Sequence, residues 1–210
     1  MARARKQAAA LGFAPHSGWA VLVALGGDPR GPALLLRERI EMSDSRLPGS
    51  RQPYHAVEGL GLGEAARRLT RYRESAAARA NAGLEQVVER LSRGGYEPRR
   101  CGIVEGSGRR GVSLETTLAS HALIHTADGN HFRDVLADAG ARCGLEVCRV
   151  TERELLARAA AALRKGPEEL QGRVLALGRS AGPPWAADQK KASLVAWLLL
   201  AEHDAGRVSG

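Results

Sequence analysis

The order of the apolar segments is the feature that most limits the fold of this chain. Two short strand-like runs, residues 21–25 and 34–40, come first and are separated by the turn residues 26–32. A long segment of helix-forming residues follows at 63–94, and after it short strands alternate with helices. A hairpin followed by this alternation predicts an α/β fold, with one mixed sheet and helices packed on both of its faces.

Periodicity and the positions of glycine and proline predict the individual elements. We expect residues 12–25 and 33–40 to be adjacent antiparallel strands, and residues 101–105 and 145–150 to join the same sheet. Helices are predicted over residues 63–94, 114–126, 132–141, 151–163, 168–177 and from 188 onward. The Asp-Gly-Asn sequence at 128–130 is expected to separate the second helix from the third, and Thr151 with Glu154 has the spacing of a capping box.

Length and composition predict one domain over residues 12–205, preceded by a disordered basic tail over residues 1–11. The tail lacks the apolar core of a signal peptide, and no run reaches the roughly 20 apolar residues of a membrane span. The three cysteines are an odd number, which is typical of reduced thiols in a cytoplasmic protein. We therefore expect a cytoplasmic protein without a membrane partner, and a homodimer is compatible with the sequence.

The net charge of +8 comes almost entirely from arginine. A basic surface favours DNA or RNA as a partner, because binding releases the counterions of the phosphates. The alternative is that the arginines lie on solvated helix faces, since net charge governs association rather than fold.

Three separated segments resemble the RuvC-type branch of the ribonuclease-H-like superfamily. Residues 11–15 (LGFAP) and 18–21 (GWAV) look like the first strand of that family and the turn that follows it. Residues 103–105 (IVE) are similar to a central strand that ends in a metal-binding Glu. Residues 187–197 look like the final helix, whose N-terminal Asp completes the metal site. The resemblance implies a ribonuclease-H-like fold and nuclease activity.

The same resemblance implies Glu105 and Asp188 as metal ligands, and with His16 they make up the candidate catalytic and metal-binding set. Nucleases of this class use two metal ions, and Mg²⁺ or Mn²⁺ would fit carboxylate ligands. Ala14 stands where the family has its first Asp, so the centre is expected to be impaired. His16 would share a strand face with Ala14 and could supply a nitrogen ligand or a general base.

Each carboxylate also has a structural interpretation. Asp188 is a favoured residue type for a helix N-cap. Its position relative to Ala192 and Val195, however, predicts that it points toward the sheet, where a carboxylate needs a partner or a metal. Glu105 could be an ordinary surface carboxylate at the end of a strand.

Four residues are candidates for contacts with nucleic acid. Arg109 and Arg110 lie in a glycine-rich loop that could hold a phosphate, and Lys191 is one helical turn from Asp188. His55 follows Tyr54, and this pair could stack on a base. The alternatives are a flexible exposed loop, a solvated lysine and a loop anchor.

A second group of histidines indicates zinc instead. His121 and His125 are four residues apart, so they lie on one face of a helix, and His131 is the candidate third ligand. The Glu of a His-Glu-x-x-His motif is absent. The leading hypothesis is therefore a RuvC-like metal-dependent nuclease with an impaired centre. The alternatives are a catalytically inactive nucleic-acid-binding module on the same fold and a zinc-dependent hydrolase.

Overall fold

The strands form one five-stranded mixed sheet in the computed structural model, which describes residues 6–208 and the side chains of residues 6–202. They are β1 (Gln7–His16), β2 (Trp19–Gly26), β3 (Ala33–Glu41), β4 (Tyr96–Glu105) and β5 (Glu146–Thr151). Their order is β3-β2-β1-β4-β5, in which β1, β2 and β3 pair antiparallel and β1, β4 and β5 pair parallel. The predicted mixed α/β sheet is confirmed.

The helices follow the predicted order, except that the predicted helix 114–126 is divided at residues 119–120 between two helices. They are α1 (Leu62–Arg93), α2 (Leu114–Leu118), α3 (His121–Arg142), α4 (Glu152–Leu163), α5 (Pro167–Ala181) and α6 (Ala187–Val208), with a 3-10 turn at His55–Val57. Thr151 precedes α4 as predicted, but its hydroxyl bonds the Glu154 carboxylate instead of a backbone amide, so the predicted capping box does not form.

The start of the sheet differs from the prediction in two ways. Residues 12–25 are two strands, because Gly18 adopts a φ of +86° and turns the chain between them. β1 begins at Gln7, so residues 7–11 belong to the sheet and not to the tail predicted for residues 1–11. Ala9 and Ala10 are buried, since β1 is the central strand and small apolar residues fit beneath the helices that cover it. Residues 1–5 of the predicted tail lie outside the described residues.

The predicted break at residues 128–130 is wrong, because α3 is continuous. Asp128 is buried and accepts hydrogen bonds from the backbone of Tyr54 and from His55. Gly129 leaves space for the guanidinium of Arg133, which would lie 2.6 Å from an added Cβ. Residues that usually signal a turn are here used for tertiary contacts.

The two faces of the sheet carry separate apolar cores. Leu11, Phe13 and Ile103 pack on one face with residues of α1 and α3. Ala10, Ala14 and Val104 alternate with them and pack on the other face with α4, α5 and α6. Helices therefore cover both faces, as predicted.

Helix α6 lies directly on two glycines of the central strands. A Cβ at Gly12 would be 1.9 Å from the carbonyl oxygen of Ala192, and one at Gly102 would be 2.4 Å from Cγ2 of Val195. Since real Cβ atoms do not approach so closely, only glycine permits this contact between α6 and strands β1 and β4.

The described helices include none that combines the length and apolar character needed to cross a bilayer. The three cysteines are all free thiols, and burial raises the pKa of Cys101 to about 12.

We predict opposite effects for the same substitution at two glycines. Gly12→Ala should destabilise the protein by about 1–3 kcal/mol or more, because α6 must move away from β1. Gly172→Ala, in α5 with open space around it, should stabilise by about 0.5–1 kcal/mol because alanine favours the helix. Urea unfolding measures both. Equal stability of Gly12→Ala and the wild type would contradict the close contact between α6 and the sheet.

Candidate functional site

His16 and Asp188 form a pair at the end of β1. Nε2 of His16 lies 2.9 Å from Oδ2 of Asp188, in the first turn of α6. The His16 ring stacks on Trp19 with 4.3 Å between ring centroids, and the Arg39 guanidinium lies 4.1 Å from the centre of the Trp19 ring. Helix α6 begins at Ala187, so Asp188 is inside the first turn and is not the N-cap. The structure brings these two predicted site residues together.

Ala14 lies next to this pair but offers no metal ligand. It is 4% exposed and belongs to the apolar core that includes Ala192 and Val195 of α6. The position at which the RuvC resemblance implies a carboxylate is therefore part of the hydrophobic contact between β1 and α6.

Glu105 belongs to a different polar cluster, beyond the end of β4. Its carboxylate accepts hydrogen bonds from Arg149 of β5 at 2.5 Å and from Arg110 at 3.2 Å. The same two guanidiniums each donate to Asp134 of α3 at 2.8 Å. Two carboxylates and two arginines thus form a closed, charge-balanced network, which we call the Glu105 network. Such charge-assisted bonds are stronger than neutral ones.

Strand alternation places Glu105 and Asp188 on opposite faces of the sheet. Ile103 and Glu105 are two residues apart, so both face α1 and α3, whereas Val104 faces α6. Ala14 and His16 are also two residues apart, and both face α6. The contacts of the described residues pair His16 with Asp188, and Glu105 with Arg110 and Arg149.

These residues do not fit a two-metal centre. Two catalytic metal ions lie about 3.5–4 Å apart and need carboxylates that converge on both of them. Here one position is Ala14, Asp188 is paired with His16, and Glu105 is bonded to guanidiniums on the other face. Arg110 and Arg149 already supply the positive charge that Glu105 requires.

An open groove of about 900 Å³ lies at the carboxyl ends of β4 and β5. Its walls include Arg149, the exposed Arg153 and the exposed glycine loop 106–108. Arg109, in the same loop, is also exposed. Within the described part of the chain, neither Arg109 nor Arg153 has an ion pair, so their charges are available to a phosphate. Lys191 differs from them, because it binds Glu152 at 2.7 Å.

The histidine group differs from the predicted set by one member. His55, from the 3-10 turn, lies beside His121 and His125 of α3, and their candidate ligand atoms are all within 4.8 Å of one another. His131 instead points into the protein next to Phe132, with its buried Nε2 lacking a hydrogen-bond partner. The reason is helical geometry, since six residues beyond His125 the helix presents a different face.

Several residues of the site region could not be found by sequence motifs. Arg149 and Asp134 complete the Glu105 network, yet each lies in a segment that was predicted only as a strand or a helix. The one available signal was Arg149 itself, a charge two residues after Val147 on a strand face expected to be apolar. His55 is 66 residues from His121 in the sequence, and only the tertiary fold reveals their proximity.

The fold is shared with two solved structures of RuvC from Thermus thermophilus. One is a complex with a Holliday junction substrate, at 14% identity, and the other is a structure of RuvC at 13% identity. Each match covers 94% of this chain and 96% of the other chain, with a TM-score of 0.57. No protein-family model matches the chain, and no curated protein matches its sequence. The chain therefore has the RuvC-like ribonuclease-H-like fold.

His131 provides a prediction about stability and pH. Burial, with a contribution from Arg73, lowers its pKa from 6.5 to about 4. Between these values the unfolded chain binds a proton that the folded chain excludes, so stability falls as pH decreases from 6.5 toward 4. The full loss is about 3 kcal/mol, at 1.36 kcal/mol per pKa unit.

His131→Leu should remove this part of the pH dependence. Chemical denaturation at several pH values from 4 to 7 compares the two proteins, and the variant should show the smaller loss of stability on acidification. Parallel curves for wild type and variant would show that His131 is not the group that resists protonation.

Proposed function

We propose that this chain is a nucleic-acid-binding protein on a RuvC-like fold that does not hydrolyse phosphodiesters through a two-metal carboxylate centre. The observation that carries the proposal is the Glu105 network. Glu105, at the end of β4 where the RuvC resemblance implies a metal ligand, holds two arginines instead. Ala14 agrees with this interpretation, since it removes a second ligand.

The Glu105 network surrounds an acidic residue with arginines, so the surface at this point is basic. Glu105 is 8% exposed, so its main effect is on the side chains that it fixes. It holds Arg110 and Arg149 at the wall of the groove, and the unpaired Arg109 and Arg153 extend the positive charge outward. Fixed guanidiniums suit phosphate binding because their planar donors can bond two oxygens at once.

The class of partner is supported by charge and by fold. A net charge of +8 favours a polyanion, and the groove is lined by Arg110, Arg149 and the unpaired Arg153. A RuvC of the same fold is known in complex with a Holliday junction, so DNA is the first candidate. Four residues were predicted to contact nucleic acid, and the proposal includes two of them, Arg109 and Arg110. Lys191 forms an ion pair with Glu152, and His55 belongs to the histidine group.

We expect the protein to bind DNA with an affinity that falls steeply as salt rises. Labelled four-way junctions and duplexes of equal length are titrated at several salt concentrations. The double variant Arg109→Ala/Arg153→Ala should bind more weakly. Its slope of log K against log salt should be lower by about 1 for each phosphate that the missing arginines no longer neutralise.

Arg142→Ala/Arg179→Ala is the matched control, because it also removes two charges and both arginines are exposed and do not line the groove. It should leave the affinity and the salt slope near those of the wild type. If both variants weaken binding equally, the interaction depends on net charge alone and the groove is not the binding surface.

We also expect no cleavage of these substrates with either Mg²⁺ or Mn²⁺, at protein concentrations that saturate binding. Asp188→Asn, purified in parallel, distinguishes activity of the chain from a contaminating nuclease. Metal-dependent products that form with the wild type and disappear with Asp188→Asn would overturn the proposal. They would show that the RuvC-type centre has been retained in a form that this geometry does not reveal.

A further inference from the structure

We propose that His55, His121 and His125 bind one transition-metal ion of the Zn²⁺ class, with a fourth coordination position open to solvent. The site is separate from the Glu105 network and from the His16–Asp188 pair. It does not depend on the nucleic-acid-binding function proposed above.

The distances between the three rings suit a shared metal ion. Nε2 of His121 lies 3.1 Å from Nε2 of His125, and the candidate ligand atoms of all three residues lie within 4.8 Å of one another. Zinc–nitrogen bonds are about 2.0–2.1 Å, so two nitrogens of one tetrahedral site lie about 3.3–3.4 Å apart. Metal binding would require the widest pair to close by up to about 1.4 Å, through rotation of the exposed His121 and His125 side chains.

A carboxylate behind the His55 ring directs one of its nitrogens toward the centre. Nδ1 of His55 lies 2.5 Å from Oδ2 of Asp128, and the other oxygen of Asp128 accepts the backbone N–H of Tyr54 at 2.7 Å. Nδ1 of His121 lies 3.9 Å from a carboxylate oxygen of Glu58, which is too long for a hydrogen bond. Nε2 is therefore the ligand atom of His55, and Nε2 of His121 is the nitrogen that faces His125. A carboxylate that holds the second nitrogen is the usual support of a metal-binding histidine.

The buried position of Asp128 makes this support rigid. Asp128 is 2% exposed, and its carboxylate is bonded to His55 and to the backbone of Tyr54. A carboxylate is costly to bury, so its place beneath His55 needs compensating interactions. A cation bound at the opposite nitrogen of His55 would add to them.

The three imidazole ligands determine which metal ions the site would bind. Imidazole nitrogens suit Zn²⁺, Cu²⁺, Ni²⁺ and Co²⁺, whereas Mg²⁺ and Ca²⁺ prefer oxygen ligands. His121 has a side chain that is 66% exposed, so the fourth position faces solvent and can take water or an anionic ligand. The ion would join the connection between β3 and α1 to the first turns of α3, because His55 comes from the former and His121 and His125 from the latter.

The test measures zinc binding to the full chain with a competing chromophoric chelator, and metal content by elemental analysis after dialysis. The wild type should hold about one Zn²⁺ per chain, and Co²⁺ in its place should give the visible spectrum of a four-coordinate site. His121→Ala should weaken Zn²⁺ binding by at least about 100-fold, and Asp128→Asn by about 10–100-fold, as for other residues that support a ligand.

His16→Ala is the control, since it removes a histidine outside the group and leaves all three cysteines in place; it should bind Zn²⁺ like the wild type. Because His121 is exposed, its replacement should not unfold the chain, and circular dichroism checks this for every variant. The proposal is overturned if the wild type binds no zinc, if His121→Ala retains wild-type affinity, or if His16→Ala loses it. Any of these results would leave the role of Arg109 and Arg153 in DNA binding intact, so the two proposals fail independently.

Discussion

The contact between α6 and the two central strands is the constraint on which the rest of the molecule depends. Gly12 and Gly102 let the α6 backbone approach the sheet more closely than any side chain would permit. This contact fixes the first turn of α6 at the end of β1, where Asp188 meets His16. It also commits one face of β1 and β4 to apolar packing, and Ala14 is part of that packing. Glycines and apolar residues thus maintain the packing of α6 on β1, although position 14 of β1 carries alanine and not a carboxylate.

The alternation of side chains along β4 then decides what Glu105 can do. A strand sends neighbouring residues to opposite faces, so Glu105 faces α3 while Val104 faces α6. On the α3 side, Asp134 lies close enough to share Arg110 and Arg149 with Glu105. Two buried or half-buried carboxylates near each other need cations, and the chain supplies them as guanidiniums. Glu105 and Asp134 therefore hold Arg110 and Arg149 in place. The surface at the strand ends is consequently suited to phosphates and not to metal ions.

The sheet could be predicted well from the sequence because the signals for it are local. Apolar runs, a glycine turn and the Thr151 position all report on a few neighbouring residues, and each identified an element of the correct type. The turn at Gly18 and the absent capping box at Thr151 are local failures. The other failures concern residues that make contacts distant in sequence. Asp128 and Gly129 have the composition of a turn, but Asp128 holds Tyr54 and His55 and Gly129 makes space for Arg133. The partners of Glu105 and the third histidine of the group lie on other elements, and no local pattern identifies them.

The proposed groove binds through positively charged guanidiniums, whereas the proposed metal site binds through uncharged ring nitrogens. This difference explains why one chain can hold both sites. The groove keeps its arginines unpaired or bonded to a buried network, so its binding strength lies in positive charge that salt can screen. The histidine group binds through the lone pairs of neutral ring nitrogens, and Asp128 orients the ring of His55. A cation at the histidines would not compete for the acceptors of the groove, since those carboxylates already hold arginines. The separation of Glu105 from the histidine group is therefore what allows phosphate binding and metal binding to coexist in one basic protein.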